Sequence, residues 1–345
     1  MTYKKESRVS VYTKAGLYIT DIDASVERSW KMSDYGEGSF SISIRDVKAY
    51  YEHLRFGNLI LIEHNKLPLW GGIIDYPRRW NMRNYAIDIS AYTAEHILKS
   101  TRLPKTFTPV GKPVVIIQEI FKRIQTDARI TYGILSEGGD VQKPEYHYDT
   151  AYDAITTLCE EAEMEFNIIP EVDATGRLYF VFNLFERYGM GVTSPIKLLE
   201  GKNIALTDEP IIEDGPIYND VIGYGEGATW GDKITENRID AESIGEYGIR
   251  MSSFSVKSKV KADIVEATIA EINLSKNPTL KFDINVLDVD NTMEDIQLGN
   301  KYDLEFYTCG FDGAGIGLST TARVLGFAYN DSDMVLEMIM ERYDG

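Results

Sequence analysis

The sequence predicts a β-rich α+β protein in which two homologous β modules flank a small inserted α+β domain. Three observations lead there. A segment near the start, Ser39–Glu63, recurs near the end as Lys281–Glu305. Helical periodicity falls between the two copies. The 22 tyrosines and 28 glycines suit half-buried strands joined by tight turns. At 345 residues the chain exceeds one ordinary core, so two to four domains are expected.

The repeat comes first. SFSISIRDVKAYYEHLRFGNLILIE aligns without a gap on KFDINVLDVDNTMEDIQLGNKYDLE. Phe40/Phe282, Ile42/Ile284, Asp46/Asp288, Val47/Val289, Glu52/Glu294, Gly57/Gly299, Asn58/Asn300 and Glu63/Glu305 are identical. Ile44/Val286, Leu54/Ile296 and Phe56/Leu298 match in character. Phe40, Ile42 and Ile44 alternate with polar residues, as do Phe282, Ile284 and Val286, which predicts strands with one buried face. The Gly-Asn pair then marks a turn, where positive φ is cheap for glycine. Second strands begin at Leu59 and Tyr302, third strands span Trp70–Ile74 and Ala322–Phe327, and fourth strands span Tyr85–Ser90 and Met334–Ile339. The glycine-rich Cys309–Thr320 segment is read as a longer hairpin tip in the second copy. Any two strand pairs share alternation and a turn glycine, but gapless identity at these positions points to duplication.

Between the copies, residues 91–101 predict a short helix and Arg102–Lys112, with Pro104 and Pro109, a linker. Val114, Ile117, Ile120, Phe121 and Ile124 predict a helix over Pro113–Asp127, with Pro113 in its first turn. A loop with Gly138 and Gly139 follows, then a helix over Asp149–Glu165, capped by Thr150 or Asp149. Phe166–Pro170 and Arg177–Asn183 flank the turn signal DATG and predict a hairpin. Residues 196–229 are strand-like, and Val260, Ile264, Ala267 and Ala270 predict a further helix within Val256–Leu274. The expected domains are 1–102, a first β module; 103–195, the inserted α+β domain; 196–240, a β segment returning to the first module or linking the two; and 241–345, the second module.

Charge and motifs narrow the function. With 54 acidic against 36 basic residues, the net charge of −18 disfavours binding to phosphate backbones. Cys159 and Cys309 do not make a disulfide framework, and a reducing compartment during synthesis is expected. Met1–Ser10 lacks the apolar core of a signal peptide, and no apolar run is long enough to cross a membrane.

No catalytic, cofactor-binding or metal-ligating residue is assigned, and no cofactor is expected. His53, His64, His96 and His147 show no HExxH or HxxEH spacing. There is no GxSxG elbow. Cys159, beside Leu158 on a helix, is read as a core cysteine and Cys309 as a loop cysteine with no base placed by sequence. Asp288, Asp290, Asn291, Glu294 and Asp295 invite a calcium reading but lack the glycine and distant glutamate of an EF-hand, so a solvated acidic connection is expected. Gly223–Gly227 and Gly313–Gly317 are read as turn glycines, because neither joins a strand to a helix start. Pairs such as Glu160/Glu161 and Asp208/Glu209 arise by number alone in so acidic a chain. A carbohydrate-binding surface would want clustered aromatics, whereas Trp30, Trp70, Trp80 and Trp230 are dispersed in sequence.

The order of these segments resembles the hub proteins of phage tail tips and baseplates. The FGNLILIEHNKLPLWGGIID run, the Asn219–Gly227 stretch and the Tyr247-Gly248 pair resemble the non-contractile, long-tailed branch, the N-terminal hub of tail-associated lysins. The resemblance spans nearly the whole chain, and the order of the motifs is more specific than any one of them. It implies two barrel-like tube domains around an α+β insertion. It also implies a homotrimeric ring whose two modules per chain match a hexameric tail tube above and a three-fold tip below, with DNA in transit.

The partners so implied are the chain itself, a distal tail or tail tube protein, a tape measure protein, and a tip fibre, spike or receptor-binding protein. The location implied is the tail tip of the virion, after assembly in the host cytoplasm. Because the last strand ends close to Gly345, a tip enzyme or spike is expected on another chain. The hub of a contractile tail or injection machine and a cell-wall-degrading tail enzyme are the alternatives.

Overall fold

The structure is a computed structural model that describes residues 7–22, 25–33, 38–44, 50–81, 86–124, 130–186, 192–205, 211–214, 216–227, 230–256, 258–277, 280–307, 317–330 and 334–342. The chain divides into two compact units, Met1–Pro210 with Asp283–Gly345, and Ile211–Phe282. The first eleven strands are β1 (Ser7–Tyr12), β2 (Tyr18–Asp21), β3 (Ser25–Ser33), β4 (Ser39–Ile44), β5 (Leu59–His64), β6 (Trp70–Asn81), β7 (Ala86–Tyr92), β8 (Ile130–Leu135), β9 (Glu165–Val172), β10 (Leu178–Phe185) and β11 (Thr193–Leu199). Then come β12 (Ile211–Asp214), β13 (Asp220–Tyr224), β14 (Thr235–Ile239), β15 (Met251–Ser255), β16 (Leu280–Leu287), β17 (Lys301–Phe306), β18 (Leu318–Asn330) and β19 (Val335–Arg342). The helices are α1 (Glu95–Ser100), α2 (Pro113–Ile124), α3 (Ala151–Glu161), α4 (Ala241–Tyr247) and α5 (Lys261–Ser275).

The duplicated segment folds the same way twice. β4, β7, β6 and β5 lie side by side in that order, and so do β16, β19, β18 and β17. Gly57 and Gly299 both take positive φ, at 82° and 78°. Each donates its N–H across to the third strand, Gly57 to the Ile74 carbonyl at 3.0 Å and Gly299 to the Val324 carbonyl at 2.9 Å. The return bonds run from Ile74 N–H to Asn58 O and from Val324 N–H to Asn300 O. Ile74 and Val324 are therefore equivalent, and the register with the fourth strand shifts just beyond each, between Asp75 and Arg78 and between Val324 and Gly326. Phe40, Ile44, Phe282, Ile284 and Val286 are all buried, as their alternation predicts. Asp46, Val47, Tyr85 and most of the Cys309–Thr320 tip lie outside the described residues.

One sheet of the larger unit runs β16-β19-β18-β3-β4-β7-β6-β5-β1-β2, with β17 on β18 and β11 on β17. The barrel-like closure expected of each module is absent: among the described residues no sheet closes into a barrel. The reason lies in β18. Its first half pairs with β17, but its second half, Gly326–Asn330, pairs with β3 and joins the two modules edge to edge.

The segment between the modules holds a three-stranded sheet, β8-β10-β9, against α2 and α3. Thr150, not Asp149, caps α3, its side chain accepting from the Asp153 N–H. The helix stops at Glu161, and Glu165 already opens β9. Two expectations need correction. Arg102–Lys112 is more than a linker: its backbone bridges to residues 142–150, and Leu103 and Phe107 are buried in the core. Strand β8 adds an element that the sequence pattern does not signal: Ile130 is its one buried residue and the rest show no alternation. That core also takes in Tyr12, Leu59, Leu61 and Ile73, so it is shared with the first β module.

In the smaller unit, β14-β13-β15 form a sheet on which α5 packs. The buried face of α5 is Ile264, Thr268 and Ile272, not the expected Val260, Ile264, Ala267 and Ala270. Thr268 can turn inward because its hydroxyl donates to the Ile264 carbonyl at 2.6 Å. A Cβ on Gly223 would stand 2.1 Å from the Thr268 Oγ1, so this glycine of the Gly223–Gly227 run admits the helix. Asn219, fully buried, donates to the Gly248 carbonyl and accepts from the Arg250 N–H, each at 2.8 Å, and so fixes the turn after α4.

Candidate functional site

The seam between the two β modules is built from β3 and β18, antiparallel, with Phe327 opposite Met32, Tyr329 opposite Trp30 and Asn330 opposite Ser29. Trp30 and Tyr329 are both 2% exposed, with ring centroids 5.0 Å apart. The His64 ring completes the cluster, 5.0 Å from Tyr329 and 5.9 Å from Trp30. Its Nδ1 accepts from the Lys66 and Leu67 N–H groups at 3.2 Å, which fixes the loop after β5. Trp70 adds a bond across the sheet, its indole N–H donating to the Lys31 carbonyl at 2.9 Å. An aromatic seam of this kind gains from both burial and ring geometry.

The opposite face of the seam is polar. Registers place Ser90, Ser29 and Asn330 on one face, with Ala328, Lys31 and Glu337 beside them. These residues border an open groove of about 700 Å³ that Ser39 and Asn285 also line. Hydroxyl and amide side chains alternate there with the apolar Phe40, Ala328 and Val335, and Lys31 and Glu337 add one charge of each sign.

The inserted domain reaches both modules. Leu178 N–H donates to Gly16 O at 2.9 Å and Arg177 Nε to Ala15 O at 2.7 Å, tying β10 to the β1–β2 turn. The space beside Gly71 is filled by Pro170 and Phe180, which a Cβ there would strike at 2.4 and 3.3 Å. On the second module, Arg323 of β18 donates two bonds to Glu165 of β9, at 2.8 and 2.6 Å. The Arg323 side chain is 3% exposed, and Glu341 stands 4.0 Å away. Arg323 and Ile73 hold equivalent places, opposite Lys301 and Leu59 respectively. One module thus meets the insertion with an apolar residue and the other with a buried ion pair. No periodicity or motif marks that pair in the sequence.

The residues singled out for chemistry are dispersed. His96 Nε2 lies 2.5 Å from Asp75, with its ring stacked on Tyr92, while His147 Nε2 faces Glu145 at 3.2 Å. The His53 carbonyl accepts from the Asn58 amide at 2.7 Å, inside the first Gly-Asn turn. Cys159 is buried, and desolvation, aided by Glu160 and Glu165, pushes its thiol up to about 12. A thiol held there is not a nucleophile near neutrality. Cys309, Asp208 and Glu209 lie outside the described residues.

The acidic connection after β16 is divided among separate partners. Asp288 and Asn291 engage Lys66, Asp290 meets Lys202 at 2.9 Å, and Asp295 accepts from Ser194. Asp290 and Asn291 both have positive φ, so the connection is a tight left-handed turn. Among the described residues no three His, Cys, Asp or Glu side chains could hold a metal ion. No helix among them is long and apolar enough to cross a membrane.

No protein-family model and no curated protein matches the sequence. Solved structures do match in fold. The prophage MuSo2 43 kDa tail protein from Shewanella oneidensis superposes with a TM-score of 0.63 at 13% identity, covering 97% of this chain and 98% of that one. Prophage tail protein gp18 from Listeria monocytogenes gives 0.61 at 12% identity, covering 97% and 94%. The tail protein from Neisseria meningitidis gives 0.60 at 13%, covering 98% and 97%. The E. coli c3393 protein, described as a type VI secretion component with similarity to T4 tail proteins gp27 and gp5, gives 0.54 at 9%, covering 93% and 74%. At such low identity the likeness is one of fold. Over nearly its whole length, this chain has the fold of prophage tail proteins.

Proposed function

We propose that the chain is a structural subunit of a phage tail, the central hub of its tip, and that three copies form a ring. The observation that carries the reading is the repeated strand order, β4-β7-β6-β5 and β16-β19-β18-β17, within a chain that has a tail-protein fold. Two like modules per chain give a trimer six like seats, which suits a six-fold tube on one side and a three-fold tip on the other. The polar groove at the seam suits the wall of a channel through which DNA passes. The chain's net charge of −18 helps keep phosphates from adhering. Neighbours in this reading are a tube or distal tail protein, a tape measure protein, and a tip fibre or spike.

The likeness to the type VI component supports a second form of the same reading, the hub of a contractile tail or injection machine. Among the described residues, the buried thiol, the separate histidines and the divided acidic turn do not come together in one site. A cryo-electron microscopy map of the tail tip is the direct test. Three copies of this fold around the tail axis are expected. Density for this chain elsewhere in the particle, or six copies in one ring, would overturn the proposal.

A further inference from the structure

The internal repeat shows which surface of the first module is unfinished. In the second module, the distal half of β18 lies between β19 and β3. In the first module, the distal half of β6 pairs with β7 alone, since β5 reaches only from Trp70 to Ile73. Among the described residues no strand takes the other edge of Arg78–Asn81.

The registers make the comparison residue by residue. Tyr329 stands opposite Leu336, and Trp80 stands opposite Ile87, at the same step along the equivalent strand pair. Tyr329, covered by β3, is 2% exposed, whereas Trp80 is 53% exposed. The rings around Trp80 are open as well. Tyr51, 44% exposed, packs on Trp80 at 5.3 Å, and Phe56 and Tyr76, 43% and 70% exposed, pack on each other at 4.6 Å. Arg55 and Arg79, next in sequence to Phe56 and Trp80, are exposed as well. Aromatic rings with arginine on an open strand edge are what binding hot spots and β-augmentation use. Two arginines on a chain of net charge −18 also suit an acidic counterpart, such as another copy of the chain.

We propose that the edge of β6 over Arg78–Asn81, with Trp80 at its centre, is where a strand of a second copy of this chain pairs. That strand covers Trp80 as β3 covers Tyr329 inside the chain. The contact is head-to-tail, because the first module of one copy receives a strand from the next copy, and such contacts make a ring when the rotation between copies closes. The inference rests on the ring reading above and adds its contact surface.

The test follows association of the full chain by sedimentation over a range of concentrations. It compares the parent, Trp80→Glu, and a control, Val110→Glu, at a site 58% exposed in the segment that leads into α2. The parent and the control should form trimers. Trp80→Glu should associate at least about tenfold more weakly while its monomer melts as the parent does. Hydrogen exchange over residues 76–81 of the parent should slow on association, and this measurement decides the matter if Trp80→Glu misfolds. Parental association by a folded Trp80→Glu, or unchanged exchange over 76–81 in the assembled parent, overturns the edge assignment and leaves the ring standing. A parent that stays monomeric at every concentration and with tail particles overturns both. Loss of cell-wall glycan binding by Trp80→Glu, with parental assembly, would instead make the rings a sugar surface and overturn the proposal.

Discussion

At the scale of single residues, the inserted domain is held to β18 by a buried ion pair between Arg323 and Glu165. Arg323 sits in a stretch, Ala322–Phe327, whose apolar pattern predicted a strand, and nothing in that pattern says the arginine is buried. Only the fold brings Glu165 to it, 158 residues away in the chain. Burying an ion pair adds little net stability, but removing one partner strands the other's charge. Arg323→Met should therefore cost about 3–5 kcal/mol. Adding Glu165→Leu should recover most of the loss, as a double-mutant cycle in urea would read.

Cys159 was legible as core from its helical position, and the structure adds a consequence for pH. Burial raises its thiol from 9.0 to about 12 and the Tyr302 phenol from 10.0 to about 12. A group raised in the folded state stabilises fully below its unfolded value and loses that contribution as pH climbs toward the folded one. The melting temperature should stay level up to about pH 9 and fall steadily beyond it. In Cys159→Ala the decline should begin nearer pH 10, where tyrosine alone remains to ionise on unfolding.

At the scale of elements, the repeat was readable because turn chemistry and burial agree. The Gly-Asn turns need positive φ at glycine, and the alternating residues fill the same sheet positions twice. A Cβ on Gly57 would meet nothing within 4 Å, so the first cost of Gly57→Val is backbone strain at positive φ, about 1–2 kcal/mol. Gly299 is buried, so Gly299→Val should cost more, and thermal melts of the two variants would rank them. Equal stability of both with the parent would count against the paired turns. Elements lacking such agreement were misread. Strand β8 shows no alternation because four of its six residues are exposed. Helix α5 hid its inward face because a threonine, Thr268, occupies the centre.

At the scale of the whole molecule, the β-rich α+β class and the repeated strand order could be read from sequence, but how the two copies of the repeat meet could not. Expecting each to curl into its own barrel assumed that a module pairs with itself. The structure instead spends the far half of β18 on β3 and leaves an open sheet with a polar groove at the join. If that groove lines a DNA channel, adding positive charge there should hold the DNA back. Ser90→Arg and Asn330→Arg, combined, should leave tail assembly intact and slow DNA release from purified particles, an effect eased by salt. Release at the parental rate would place the groove away from the DNA path.

The pairing of β3 with β18 also sets a timetable for synthesis. Trp30 and Tyr329 are 299 positions apart, so at the usual ~5–20 residues per second β3 waits about 15–60 s for its partner to be made. Until then its edge is bare, and on a polysome many such edges stand close together. The last strands of each nascent chain compete with those neighbours for a place beside its own β3. The pace of synthesis therefore sets how long each β3 edge stays uncovered.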